Sequence, residues 1–500
     1  MPSAYEAFHK AIREIGQLGS IEGLLDWDSE TIMPDGGLSA RAEQISLIAT
    51  LAHERRTSPT LGELIEQLDS RVDDPIEQSN VSEARRMYER ASRVPAELVT
   101  RLSRVSVLAK EAWGKARAGS DFPAFAPHLS ELVNIKRHIA DLIGYKGERY
   151  DALLDEYEPG MTSAQVEEVF TALRGPLCEF VRRLAHAPRK PDSSVLHRNF
   201  PRAAQESFAR HLAEAIGFDF SRGRLDVSKH PFCGGTGPAD VRLTTRYYED
   251  FIAPSVFGVL HEAGHGIYEQ GLPEAHMFTP AGQAVSLGIH ESQSRLWENF
   301  VGRSREFWEG MYGACQRAFP DALGSVSLDA FHGAINTVSP SLIRVEADEV
   351  TYNLHIILRF EIERALIGGT LEVRDIPAAW NGKMRELLGV SPPNDAQGCL
   401  QDIHWSAGMF GYFPTYALGN LYAAQFFEAA LRAIPNLRDE LRRGQFAPLL
   451  AWLRENIHQH GMRYRAGELV HRVTGAPLTV EPFLRYIRTK FAPIYGLNIT

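Results

Sequence analysis

Apolar residues recur at three- and four-residue steps through Tyr5–Leu18, Ala40–Leu51, Leu98–Ala116, Val166–Leu184 and Ala203–Ile216. That period lays one apolar stripe along a helix, so each stretch predicts an amphipathic α-helix. From Pro254 onward the same period resumes. Ile343–Ile367 predicts one long helix closed by Gly368-Gly369, and Asp375 with Pro377 opens another that ends near Gly389. A period of two appears only in Arg224–Ser228 and Asp240–Tyr247, with Gly234, Gly235, Gly237 and Pro238 between them. Those runs predict a hairpin-like pair joined by a loop, Val241 and Leu243 on one face and Arg242, Thr244 and Arg246 on the other. The fold class expected is mainly α with a minor antiparallel β element. The Pro-rich stretch His186–Ser194 is the candidate surface linker.

Composition narrows the function classes. Of 500 residues, 44% are hydrophobic and 23% charged, the balance of a globular chain with a large core. A net charge of −10 argues against nucleic acid or an anionic membrane as a partner. Cys178, Cys233, Cys315 and Cys399 are far apart and form no CxxC pair, which suits free thiols in a reducing cytoplasm. The first twenty residues carry charges throughout and lack a secretory signal's apolar core, and no run nears the roughly 20 apolar residues of a membrane helix. The expected location is cytoplasmic.

The chemistry concentrates in His261-Glu262-Ala263-Gly264-His265, an HExxH sequence. At 100° per residue the two imidazoles lie about 40° apart, one turn along, and can address one metal ion. Glu262 lies about 100° round, placed to take a proton from water without ligating the metal. The plainer alternative is a core helix with two satisfied histidines. A catalytic site also needs a third protein ligand. The places where a metzincin carries Gly and His hold Tyr268 and Gly271, so that ligand lies elsewhere. In the helix predicted over Gly288–Glu298, Glu291, Arg295 and Glu298 share a face, and inward polar residues are costly unless they bind something. Glu291 is favoured as the ligand, with Arg295 or His290 steadying it; Glu298, Glu269 and Glu274 are rivals. A divalent ion so held acidifies water from a pKa of 15.7 toward about 7 and polarises a carbonyl, with Glu262 as general base.

Around this centre the chain resembles the M32 metallocarboxypeptidases, the carboxypeptidase Taq family. The resemblance rests on His230-Pro231-Phe232, Asp240–Thr244 (DxRxT), His261–His265, His290–Gln293 (HESQ), Ile343–Asp348 (IRxxAD) and Gly398–Trp405 (GxxQDxHW). Leu25–Asp28 and Met33-Pro34 look like the family's opening. It implies one peptidase domain over 1–500, with a helical part about 1–220 and a metal-site part about 221–500, and a deep groove. It further implies a homodimer, one zinc or cobalt ion per chain, and removal of C-terminal residues from peptides with broad specificity. The ligand set it implies is His261, His265 and Glu291, a gluzincin-type arrangement; the residue types suit Zn²⁺, with Co²⁺ or Mn²⁺ as alternatives.

A carboxypeptidase must hold a free α-carboxylate, and Arg offers a bidentate fork. Arg242 and Arg344 are the candidates, with His230 beside the substrate backbone; the plainer reading pairs Arg242 with Asp240 and Arg344 with Asp348. His404, with Tyr412 or Tyr416, is the candidate donor to the oxyanion. An endo-oligopeptidase of the same chemistry, or a protein whose metal only braces two helices, are the competing readings.

Overall fold

The computed structural model describes residues 3–68 and 71–498. Helices dominate because the apolar stripes find partners. Ala4–Thr31 starts at a capping box in which Ser3 and Glu6 satisfy each other's backbone N–H groups. Thr162 and Gln165 do the same for Ser163–Ala185. The remaining predicted helices appear as Leu38–Arg56, Ala96–Gly119 and Arg202–Ile216. All four cysteines are free thiols. No helix among the described residues is long and apolar enough to cross a membrane.

The chain forms two compact units. The first comprises Met1–Ser92, Pro191–Ile335 and Tyr422–Pro477; the second comprises Arg93–Lys190, Asn336–Leu421 and Leu478–Thr500. One passage between them, Lys190 to Pro191, falls inside the Pro-rich stretch.

Two expectations need correction. The β element is a three-stranded mixed sheet of order β1-β3-β2, not an antiparallel pair. β1 (Gly223–Val227) runs parallel to β3 (Asp240–Thr245), and the presumed loop is itself a strand, β2 (Cys233–Gly237), antiparallel to β3. Glycines carry little strand signal, which hid β2. They are required there: Gly235 and Gly237 have φ of +151° and +146° at a register shift, and a Cβ on Gly235 would lie 2.2 Å from the Asp240 carbonyl oxygen. Alternation reports which face a residue takes but not which strand lies alongside.

The long helix expected over Ile343–Ile367 is interrupted. Arg344–Glu346 is a single 3₁₀ turn and the helix proper is Tyr352–Gly368, closed as expected by Gly369 at φ +86°. The Asp348 carboxylate accepts from the Val350 and Thr351 N–H groups, the Thr351 hydroxyl and the Ser339 N–H. Such side-chain bonds outcompete helix propagation at that point.

Candidate active site

The helix Ala253–Gly271 is the platform of the first unit. Its apolar residues Val256, Phe257, Val259 and Leu260 are buried. Two glycines let its neighbours approach. A Cβ on Gly266 would sit 2.7 Å from both Leu243 of β3 and Phe218. On Gly264 it would sit 2.7 Å from the Ser294 Cα and 2.8 Å from the Gln293 carbonyl oxygen. The helix Leu287–Arg295, capped by the Ser286 hydroxyl, thus lies directly against the motif helix.

That approach brings Glu291 to the histidine pair. Its Oε2 lies 3.4 Å from His265 Nε2 and 3.7 Å from His261 Nε2. Ligand atoms of the three residues lie within 4.8 Å of one another. Ligands about 2.0–2.2 Å from a tetrahedral ion stand roughly 3.3–3.6 Å apart, so the spacing and the His₂Glu donor set fit a divalent metal.

Each group is held from behind. His261 Nδ1 donates to Glu298 Oε2 at 2.8 Å, which keeps Nε2 free of hydrogen. His265 Nδ1 and His290 Nδ1 are 2.5 Å apart, and His290 Nε2 is 2.7 Å from Glu269 Oε1. A proton on His265 Nδ1 and another on His290 Nε2 satisfy this chain, leaving His265 Nε2 as a lone pair. Arg295 donates from Nε to Glu291 Oε1 at 2.6 Å and from Nη1 to Glu298 Oε2 at 3.2 Å.

The electrostatics follow from burial and these partners. Burial works to raise Glu291, but the Arg295 guanidinium and the two histidines hold it well below the usual carboxylate range. Glu298 is likewise drawn to about 2 against its burial by Arg295 and His261. Burial lowers His265 to about 3, with His290 adding to it. Glu262 lacks such a cation. Burial, with Glu291 and Glu298 nearby, pushes it up to about 7 despite His261, a value suited to proton exchange near neutrality.

A family model for the carboxypeptidase Taq (M32) metallopeptidases matches residues 7–491. The chain belongs to the M32 metallopeptidase family. It is 46% identical to thermostable carboxypeptidase 1 of Thermus thermophilus across 99% of both chains. It is 39% identical to carboxypeptidase 1 of Bacillus subtilis across 98% of both. The M32 carboxypeptidase structure from Deinococcus radiodurans superposes with a TM-score of 0.96 at 41% identity, covering 99% of this chain and 100% of that one. As an M32 metallocarboxypeptidase it carries a candidate metal site, the His261, His265 and Glu291 group.

The other expected site residues of this M32 chain are divided between the two units. In the first unit Arg242 is engaged by Asp240 through both arms of its fork, at 2.9 Å each, and lies 4.3 Å from the ring centre of the buried Trp27. This gives Trp27 of the amino-terminal motif a role in holding Arg242. His230 is exposed, and its carbonyl accepts from the Ser228 hydroxyl.

In the second unit Arg344 pairs with Asp402 rather than Asp348, through Nε at 3.0 Å and Nη2 at 2.8 Å. Its Nη1 donates to the Tyr352 hydroxyl at 2.9 Å. His404 shares a 3.3 Å hydrogen bond with the Tyr416 hydroxyl and packs 5.3 Å from the Tyr412 ring. Burial and Arg344 lower His404 to about 3. Arg359, absent from the expected set, also donates to Asp402 and is fully buried. Its signal was a lone charge inside the apolar run Ile356–Phe360.

Proposed function

We propose that the chain removes single residues from the C-termini of peptides with broad side-chain specificity, using one divalent ion on His261, His265 and Glu291. The observation that carries this reading is the convergence of those three side chains beside the buried Glu262. Zn²⁺ is the ion assigned, with Co²⁺ or Mn²⁺ as alternatives, since this HExxH gluzincin-type donor set suits all three. When bound, the ion supplies Lewis acidity toward the scissile carbonyl and toward water. Glu262 takes the proton from the attacking water and returns it to the departing amine. Glu298 and the His290–Glu269 pair keep both imidazoles in the tautomer that offers Nε2. Arg295 keeps Glu291 ionised. By resemblance to the family, His404 with Tyr412 or Tyr416 donates to the developing oxyanion, Arg242 and Arg344 meet the substrate carboxylate, and His230 meets its backbone. The same resemblance assigns one peptidase domain over 1–500 and a homodimer; the widely spaced cysteines suit a cytoplasmic location.

The deciding experiment strips the protein with a chelator, restores Zn²⁺, Co²⁺ or Mn²⁺ singly, and follows a short peptide by mass spectrometry. Stepwise loss of C-terminal residues from the free acid, and none from its C-terminal amide, is the expected result. Equal cleavage of the amide, or hydrolysis that survives complete metal removal, defeats the reading. Both arginine forks are occupied by carboxylates of the chain itself. That observation favours, as the second reading, an endo-oligopeptidase; internal cleavage of the same peptide would select it.

A further inference from the structure

The helix Tyr352–Gly368 buries two opposite charges one turn apart, Arg359 and Glu363. Both belong to the second unit, as does the segment they hold, 402–412. Arg359 donates from Nε to Asp402 Oδ2 at 2.8 Å. Glu363 grips the same segment further along. Its Oε1 accepts from the Trp405 indole N–H at 2.8 Å, and its Oε2 from the Gly411 backbone N–H at 3.1 Å. Oε2 also accepts from the Tyr150 hydroxyl at 2.7 Å.

A buried carboxyl group is costly, and an apolar side chain of similar volume would avoid that cost. What the carboxyl supplies is geometry. An indole N–H and a backbone N–H can only donate, and here they approach different oxygens. Glutamate turns an acceptor to each. Glutamine cannot, because its NH₂ must face one of the two donors. Burial pushes the Glu363 carboxyl up to about 7. A proton on it can point at the Tyr150 hydroxyl, which also accepts, so both N–H bonds persist.

The gripped residues adjoin two candidate oxyanion donors: Trp405 follows His404, and Gly411 precedes Tyr412. Between them the chain has little regular structure of its own. His404–Ala407 is a single 3₁₀ turn, and Gly408 and Gly411 have φ of +73° and +91°. A Cβ on Gly411 would lie 2.7 Å from the Leu153 carbonyl carbon, so the segment is pressed against the helix Arg149–Leu154 that carries Tyr150. The His404 and Tyr412 ring centres are 5.3 Å apart.

We propose that Glu363 is a positioning residue for the peptidase reaction, fixing His404 and Tyr412 by holding the Trp405 and Gly411 N–H groups beside them. The proposal rests on the reading in which His404, with Tyr412 or Tyr416, donates to the oxyanion; the three hydrogen bonds do not depend on it.

The test uses full-length, metal-loaded protein and a short free-acid peptide. Glu363→Gln should lower kcat about 10–100-fold, the scale of a displaced catalytic group, with KM little changed and one ion per chain retained. In a His404→Gln background the same substitution should add less than about threefold, because residues that act as a unit are not additive. An unchanged kcat in Glu363→Gln, or an equal loss in both backgrounds, would overturn the proposal. Should Glu363→Gln fail to fold, Trp405→Phe removes one N–H and keeps an aromatic ring, and kcat should again fall. Tyr150→Phe, whose hydroxyl lies outside the segment, should leave kcat at the wild-type level. An unaffected Trp405→Phe, or an equal loss in Tyr150→Phe, would also overturn it. Wild-type kcat in His404→Gln alone defeats the oxyanion reading and the proposal with it. A loss in His404→Gln with none in Glu363→Gln defeats the proposal only.

Discussion

His261 and Glu298 stand 37 residues apart, and the imidazole Nδ1 meets the carboxylate across 2.8 Å. Glu298 falls in the π turn Leu296–Val301 that continues the Glu291 helix, a local irregularity often found where side chains must be aimed. Glu298→Ala should leave all three metal-facing groups in place yet weaken metal affinity about 10–100-fold. Competition with a chromogenic chelator measures this, and an unchanged affinity would remove Glu298 from the account.

Glu262→Gln should retain one ion per chain while lowering kcat about 10²–10⁴-fold, the contribution of a positioned general base. Metal content and peptide turnover, measured on the same sample, separate this outcome from simple loss of the ion.

Gly264→Ala should destabilise the protein although alanine favours helix by roughly 1 kcal/mol. The added methyl would press on the Ser294 Cα and the Gln293 carbonyl oxygen, which are backbone and cannot swing away. The expected net loss is about 1–2 kcal/mol, with reduced metal occupancy because Glu291 is pushed from the histidines. Thermal melting and metal analysis read both.

Asp402 faces two buried guanidinium groups, Arg344 and Arg359. Asp402→Asn would leave both uncompensated, at a cost of about 3–5 kcal/mol. A melting temperature within a degree or two of the wild type would contradict that account.

His458 is fully buried, its Nε2 bonded to Gln293 Oε1 at 3.0 Å, and burial with the Arg454 charge lowers it to about 3. The native imidazole stays neutral while the unfolded chain takes a proton below about 6.5. The stability it contributes is therefore complete above that pH and is lost as the pH falls toward 3. Between pH 7.5 and 5.0 the loss amounts to about 2 kcal/mol. Denaturant midpoints should fall less steeply with acid in His458→Gln, which keeps a polar group toward Gln293.

The four acids once in competition show why some of this was legible and some not. Arg295 reaches Glu291 and Glu298 because four- and three-residue steps share a helix face, a relation fixed by helix geometry and visible in the sequence. Which acid backs which histidine depends on how two helices dock. Glu298 went to His261 and Glu269 to His290, whereas the exposed Glu274 pairs with Arg222 at 3.5 Å. The chance of a plain ion pair was visible for Arg242, whose partner is two residues away. It was misplaced for Arg344, whose partner Asp402 arrives from 58 residues on.

The sequence by itself determined the helical class, the histidine pair with its adjacent glutamate, and the family, because these rest on periodicity and on short motifs that close within one or two turns. Tertiary structure alone decided the parallel placement of β1, the bonds behind each imidazole and the pairing of Arg344 with Asp402. All of these join groups distant along the chain. Their approach is set by close packing at residues such as Gly264 and Gly235, where the absence of a side chain carries the information and leaves no hydrophobic pattern to read.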